Sequence, residues 1–268
     1  MTHSFMIFIM SALSFLIASQ VVASAPPLQD FNQLYSQLLE DHTQQTHLDG
    51  LPLTSVDYSS LRKDDRWPVL IEKLATMPPT AVNTPDRQKA FYLNAYNILA
   101  INKVLAHWPL RSLRSVGSFA DPVWVHDAGQ VAREPVTLEY LEHKVLRGMG
   151  DPRVHMAINC ASISCPDLRR EAYVADRIDT QLDEQAQHFL HQKDKGLTLD
   201  EETRTVHLSV VFDWFEEDFD ALGGVASFIR TYRPDLPQGW EIVADLNYNW
   251  GINSELNARL LRKMRDDF

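Results

Sequence analysis

A chain of 268 residues, 45% hydrophobic and 23% charged, is long enough for one large folded domain with extensions, and its composition is that of an ordinary globular protein. Its net charge of −11 at pH 7 leaves no excess of Lys and Arg to neutralise phosphates. Nucleic acid is therefore not an expected partner, and neither is an anionic membrane surface docked by charge.

Phe5–Val22 is almost wholly apolar, and Val21-Val22-Ala23 offers small residues for cleavage before Ser24. Residues 1–23 are expected to be a cleavable signal peptide, with the mature chain periplasmic or secreted. The alternative is an uncleaved anchor, which at ~18 residues sits at the short limit for a span. No later run is long and apolar enough to cross a bilayer, so no stable membrane span is expected after cleavage. Export would place both cysteines in an oxidising compartment, where two usually make one disulfide.

Residues 24–80 read as a linker and helices. Phe31, Leu34, Leu38 and Leu39 recur with helical period, and so do Trp67, Leu70, Ile71 and Leu74. Asp41–Tyr58, polar and broken by Pro52, reads as a loop. Thr84-Pro85-Asp86 is a helix start, with a hydroxyl cap, Pro in the first turn and then an acid. The helix that follows, Asp86–His107, is apolar nearly all round, which marks it as central. It carries Asn94 and Asn97 on one face, and buried asparagines need partners. Val123–Val125 and Val131–Val136, around Asp127–Gln130, look like a hairpin. Thr137 would cap a helix Leu138–Arg147 closed by Gly148. Val154–Ile158 reads as a strand. Arg177–Gln192 is helical, Leu197–Leu199 and Val206–Leu208 form a second hairpin, Val210–Phe219 and Val225–Tyr232 are short helices, and Glu241–Leu246 is a last strand. Residues 81–253 would be the core domain and 254–268 a helical tail. Helices and hairpins are interspersed rather than alternating, which favours a single α+β domain with a central buried helix packed with further helices on a small mixed or antiparallel sheet.

The segment Asp151–Pro166 (DPRVHMAINCASISCP) holds both cysteines. On a strand, His155 and Cys160 would point to opposite faces, so they meet only if the strand ends before Cys160. Three readings stay open. Cys160 paired with a histidine is a nucleophile. Cys160 bridged to Cys165 is a small disulfide loop that contributes only ~2 kcal/mol. His143, His155, Cys160 and Cys165 together have the ligand types of a zinc site. Glu142 shares a helical face with Leu138, Val145 and Leu146, and needs a partner such as Arg147, Arg153 or His155, or a raised pKa. Phe212, Phe215 and Phe219 are spaced as core, Asp213 and Asp218 as caps or ion-pair members, and the rings of Tyr248 and Trp250 as a core closure or pocket wall.

These segments resemble those of a bacterial and plant family known as the domain of unknown function 547. The resemblance lies in Phe91–Asn97 (FYLNAYN), Leu138–His143 with Leu146-Arg147, and Asp151–Pro166, with looser agreement at Asp218-Phe219 and Tyr248–Asn253. At 249 and 251 the family pattern has Asp and Ser, where this chain has Asn249 and Gly251. The resemblance spans roughly residues 80–253 and implies a site at the cysteine segment, not a reaction. The order of central helix and His155 segment is also similar to transglutaminase-like cysteine enzymes, except that no cysteine opens the helix here.

The function expected is a thiol-dependent hydrolase or acyl transferase. Cys160 would be the nucleophile, His155 or His143 the base, Glu142 the orienting acid and Asn94 a polar stabiliser. Asn97, Arg147, Arg153, Cys165 and Trp250 would contact a small-molecule or peptide ligand. No cofactor is implied, and the leading reading has no metal. The alternative is a non-enzymatic binding or assembly module with a Cys160–Cys165 staple and a buried polar network.

Overall fold

The computed structural model describes residues 26–266, so the expected signal peptide lies outside the described residues. In chain order the elements are α1 (Pro26–His42), β1 (Thr43–Leu48), β2 (Leu51–Val56), α2 (Tyr58–Leu61), α3 (Arg66–Ala75), α4 (Pro85–His107), β3 (Asp127–Val131), β4 (Glu134–Thr137), α5 (Leu138–Tyr140), α6 (Val154–Ala157), α7 (Ile178–His191), β5 (Leu197–Asp200), β6 (Thr205–Ser209), α8 (Val211–Trp214), α9 (Val225–Tyr232), β7 (Glu241–Leu246) and α10 (Glu255–Asp266). Two antiparallel hairpins, β1-β2 and β3-β4, stand apart from a three-stranded sheet β5-β6-β7, in which β7 runs parallel to β6. This is an α+β domain. No helix among the described residues is long and apolar enough to cross a membrane.

Helix α4 is the axis of the fold. The Thr84 hydroxyl accepts the Arg87 amide at 3.3 Å and Pro85 fills the first turn, as the start signal requires. Its interior residues from Leu93 to Ile101 are all buried. Around it, α1, α3 and the β3-β4 hairpin close one core, in which Phe31 and Phe91 pack with ring centroids 5.6 Å apart. A second core lies between α7, β5-β6, α8 and α9. Helix α6 joins the two, with Val154 and Ala157 in the first and Met156 in the second.

Four local expectations are corrected. Asp41–Tyr58 is not a loop but the β1-β2 hairpin. Its turn is Asp49-Gly50, both at positive φ (53° and 84°), which suits the right-handed twist of the strands, and Pro52 is tolerated because β2 pairs only with β1. The next hairpin turns at Ala132-Arg133, also at positive φ, rather than at Asp127–Gln130, and Val123–Val125 is a 3-10 turn. The helix from Leu138 is capped by the Thr137 hydroxyl, which accepts the Tyr140 amide at 3.0 Å. It then widens into a π-helix over Leu141–Leu146 and ends at Gly150 (φ 69°), not Gly148. Finally, Val154–Ile158 is not a strand. Asp151-Pro152 is itself a helix start, and the carbonyls of Asp151, Pro152 and Val154 accept the amides of Val154, His155 and Ile158.

Candidate functional site

The segment after α6 is fixed by asparagines rather than by a sheet. Asn97, on α4, donates to the Ala157 carbonyl (3.0 Å) and accepts the Asn159 amide (2.7 Å). Asn159 donates to the Pro166 carbonyl (2.8 Å) and accepts the Ala161 amide (2.9 Å) and Asn253 Nδ2 (3.2 Å). Tyr58 donates to Asn253 Oδ1 at 2.7 Å. This network holds Ala161 at a φ of 62°, a conformation that costs a non-glycine residue of the order of 1 kcal/mol. On the other side the loop is laced to residues 249–253. Ile163 and Ser164 donate to the carbonyls of Gly251 and Asn249, and the Asn253 amide donates to Ala161. The approach at Gly251 is close, since a Cβ there would lie 3.0 Å from Asn249 Oδ1 and 3.1 Å from Ile163 Cδ1.

The loop presents Cys160, half-buried, to a cavity of about 200 Å³. Tyr96, Glu142, His143, His155, Cys165 and Phe215 line it, and Trp124, Trp214, Tyr248 and Trp250 form its outer wall. Trp214 and Trp250 stack with centroids 5.5 Å apart, Tyr248 lies 4.5 Å from Trp250, and the Arg114 guanidinium sits 4.7 Å over Trp250.

The Cys160 sulfur lies 2.8 Å from Ser162 Oγ and 3.3 Å from the Tyr248 hydroxyl, which are 3.1 Å from each other. Burial alone would raise the Cys160 pKa. Hydrogen bonds from Cys165, from Ser162 and from Tyr248 outweigh it and hold the thiol below its ordinary value. Cys165 is the opposite case, because burial and the neighbouring Cys160 both push it up. Both cysteines are unbridged, and the Cys165 sulfur accepts the Cys160 amide at 2.9 Å.

His155 does not bond to the Cys160 sulfur. Its Nε2 lies 2.7 Å from Asp218 Oδ2, and its ring stacks on Phe215 at 4.0 Å. Burial drives its pKa down to about 4, against the pull of Asp218. The ring is therefore neutral at pH 7. A carboxylate only accepts, so the proton sits on Nε2 and leaves Nδ1 as a bare acceptor. Nδ1 is buried and has no partner. Asp218 is clamped by Arg147, whose Nε and Nη2 reach its two oxygens at 2.6 and 2.8 Å, and this bond keeps the Asp218 carboxyl below its usual range. Arg147 Nη1 also donates to His143 Nδ1 at 3.0 Å.

Glu142 is partnered by none of the three residues expected. Its Oε2 accepts the Tyr96 hydroxyl at 2.9 Å. Burial raises its pKa to about 7, opposed by that bond and reinforced by charge on Cys160. Tyr96 and Tyr248 are pushed up, chiefly by burial, and remain donors.

Glu142, His143, His155, Cys160, Cys165 and Trp250 thus line one cavity, with Arg147 behind it. Asn94 is not part of the lining: it binds the backbone of Tyr173 in both directions at 2.9 Å. Asn97 acts on the loop backbone. Arg153 is held elsewhere, by Asp151, Asp179 and Asp183. The four zinc-type residues share the cavity but do not converge as a ligand set: the Nδ1 of His143 and the Nε2 of His155 are taken by Arg147 and Asp218. No group of three His, Cys, Asp or Glu placed to hold a metal occurs among the described residues. Tyr248 takes the pocket-wall place its ring suggested, and the contributors not foreseen are Tyr96, Ser162 and Trp214, and Asp218 in the role of orienting acid. Only Asp218 had a signal, as an acid of pairing type within an aromatic helical segment.

Fold and site together define an α+β protein with a thiol-centred, aromatic-walled cavity. Residues 80–190 match the family model described as "Protein of unknown function, DUF547", and this segment belongs to that family. The match contains Glu142, His155 and both cysteines, whereas Asp218 and the rings at 214, 248 and 250 lie beyond it. No curated protein and no solved structure matches the chain.

Proposed function

We propose that this protein is an exported thiol hydrolase or acyl transferase, working in the periplasm or outside the cell on small-molecule or peptide acyl groups that fit an aromatic cavity. The observation that carries the reading is the shared cavity. It brings together a half-buried thiol flanked by two hydroxyls and a neutral histidine whose Nε2 is tied to Asp218 while Nδ1 is unpartnered. A buried acceptor without a partner is costly unless a ligand, water or reacting proton satisfies it.

In this reading Cys160 attacks the acyl carbon, forming an S–C bond as the bond to the leaving group breaks. His155 accepts the thiol proton at Nδ1 and returns it to the leaving group. Water or a second acceptor then takes the acyl group by the reverse sequence. Asp218 fixes the tautomer and stabilises the imidazolium formed in the step, and Arg147 holds Asp218. Glu142 lies within charge range of the thiol as a carboxyl that exchanges its proton near neutral pH.

The test is alkylation with iodoacetamide, with and without prior reduction, read by intact mass, followed by turnover of a thioester and ester panel. Selective alkylation of Cys160 and turnover lost in Cys160→Ala are expected. His155→Ala and Asp218→Asn should lower turnover at least about a hundredfold. Turnover in Cys160→Ala equal to that of the parent protein overturns the proposal.

A further inference from the structure

The acyl-transfer reading uses one thiol and leaves the second idle. Cys165 lines the same cavity but lies deeper, 5% exposed where Cys160 is half-buried. Its sulfur accepts the Cys160 amide at 2.9 Å, which places the second thiol against the backbone of the first. Two hydroxyls, Ser162 Oγ and Tyr248 OH, stand beside Cys160 at 2.8 and 3.3 Å. The turn that carries both thiols is pinned to residues 249–253 at Ala161, Ile163 and Ser164. An accessible thiol, a shielded thiol against it, and hydroxyl donors at the accessible one are the parts of a two-step thiol oxidation.

We propose that Cys160 and Cys165 are a reversible redox couple that reacts with hydroperoxides. The Cys160 thiolate attacks the terminal oxygen of the hydroperoxide. An S–O bond forms, the O–O bond breaks, and the departing alkoxide or hydroxide takes a proton from solvent through Tyr248. The resulting sulfenic acid is attacked by Cys165: the S–S bond forms, the S–O bond breaks, and the oxygen leaves as water with the Cys165 proton. The pair loses two electrons and the peroxide gains them. A dithiol reductant restores both thiols by exchange. While the bridge stands, Cys160 carries no free thiolate and acyl transfer is off.

The experiment uses the full mature chain, reduced, freed of reductant and treated with equimolar hydrogen peroxide. Intact mass should show loss of two hydrogens without dimer, no alkylation until dithiothreitol is added, and two alkyl groups afterwards. Oxidation should run at least about tenfold faster than that of free cysteine. In Cys165→Ser, dimedone should trap a single sulfenic acid at Cys160, and Cys165→Ala provides the same readout if the serine fits poorly. Oxidation no faster than free cysteine, a disulfide between chains, or an unchanged product in Cys165→Ser overturns the proposal. Each readout is a mass, independent of turnover. Failure here leaves the acyl-transfer reading standing, and failure of turnover leaves this one standing.

Discussion

Glu142 and Cys160 share the cavity and oppose each other's ionisation. The carboxyl reaches a pKa of about 7 because burial, with charge on Cys160 adding to it, outweighs the Tyr96 hydrogen bond. The interaction is reciprocal, so the carboxylate formed as pH rises through 7 disfavours the thiolate. Glu142→Gln keeps the acceptor for Tyr96 and removes the charge. Its Cys160 should alkylate about two- to fivefold faster at pH 7.5, and its rate profile should follow a single proton where the parent profile is stretched. An unchanged profile would mean the two groups do not sense each other. The same residue shows where the sequence is mute. An acid on an apolar helical face announces that it has a partner, but Tyr96 lies 46 positions away and only the packing of the π-helix on α4 names it. Asp218 is the mirror case, visible as a pairing acid but not as the partner of His155, because that contact closes 63 residues of chain.

At the scale of elements, the site is a loop rather than a helix or strand end, and asparagines replace the ladder a sheet would supply. Asn97 is 2% exposed and holds Ala157 and Asn159 in place. Asn97→Ala strands the Asn159 amide, since the Ala157 carbonyl retains the Tyr173 hydroxyl at 3.3 Å. The expected cost is about 2 kcal/mol in urea unfolding, together with a changed Cys160 alkylation rate. Asn94→Ala should cost a similar amount, since it strands the Tyr173 amide, yet leave the alkylation rate as it was. Equal rates in both variants would show that Asn97 does not position the thiol. Helix α4, its Thr84 cap, the β5-β6 hairpin and the α9 helix were legible because their signals are local: period, cap and turn. The β1-β2 hairpin was concealed by the polar β1 strand and by Pro52 in β2, although Asp49-Gly50 marks its turn. Helix α6 was concealed by an apolar run too short for its period to tell helix from strand. That error mattered most, because a strand would have set His155 and Cys160 apart.

At the scale of the whole molecule, two buried groups in one cavity pull stability in opposite directions with pH. His155 is depressed from 6.5 to about 4. Unfolding lets it bind a proton it lacks when folded, so stability falls as pH drops from 6.5 toward 4. Glu142 is raised from 4.5 to about 7, so the folded state holds a proton the unfolded chain releases, and stability falls as pH rises from 4.5 toward 7. Between 4.5 and 6.5 the folded chain has protonated Glu142 and neutral His155, and the unfolded chain has the reverse. The proton counts match, and the two slopes cancel. Removing one partner exposes the other. Relative to the parent protein, Glu142→Gln should lose stability as pH falls from about 6.5 to 4.5, and His155→Phe, which keeps the stack on Phe215, should lose it as pH rises across the same range. Each difference should reach the order of 2 kcal/mol in urea unfolding, with opposite sign. Taking each variant against the parent protein at the same pH removes the carboxylates held low by arginines, such as Asp64 and Asp151, which are common to all three. Two differences of the same sign would mean that the cavity does not hold an acid and a base in inverted protonation states, and the proton path assigned to His155 would fall with it.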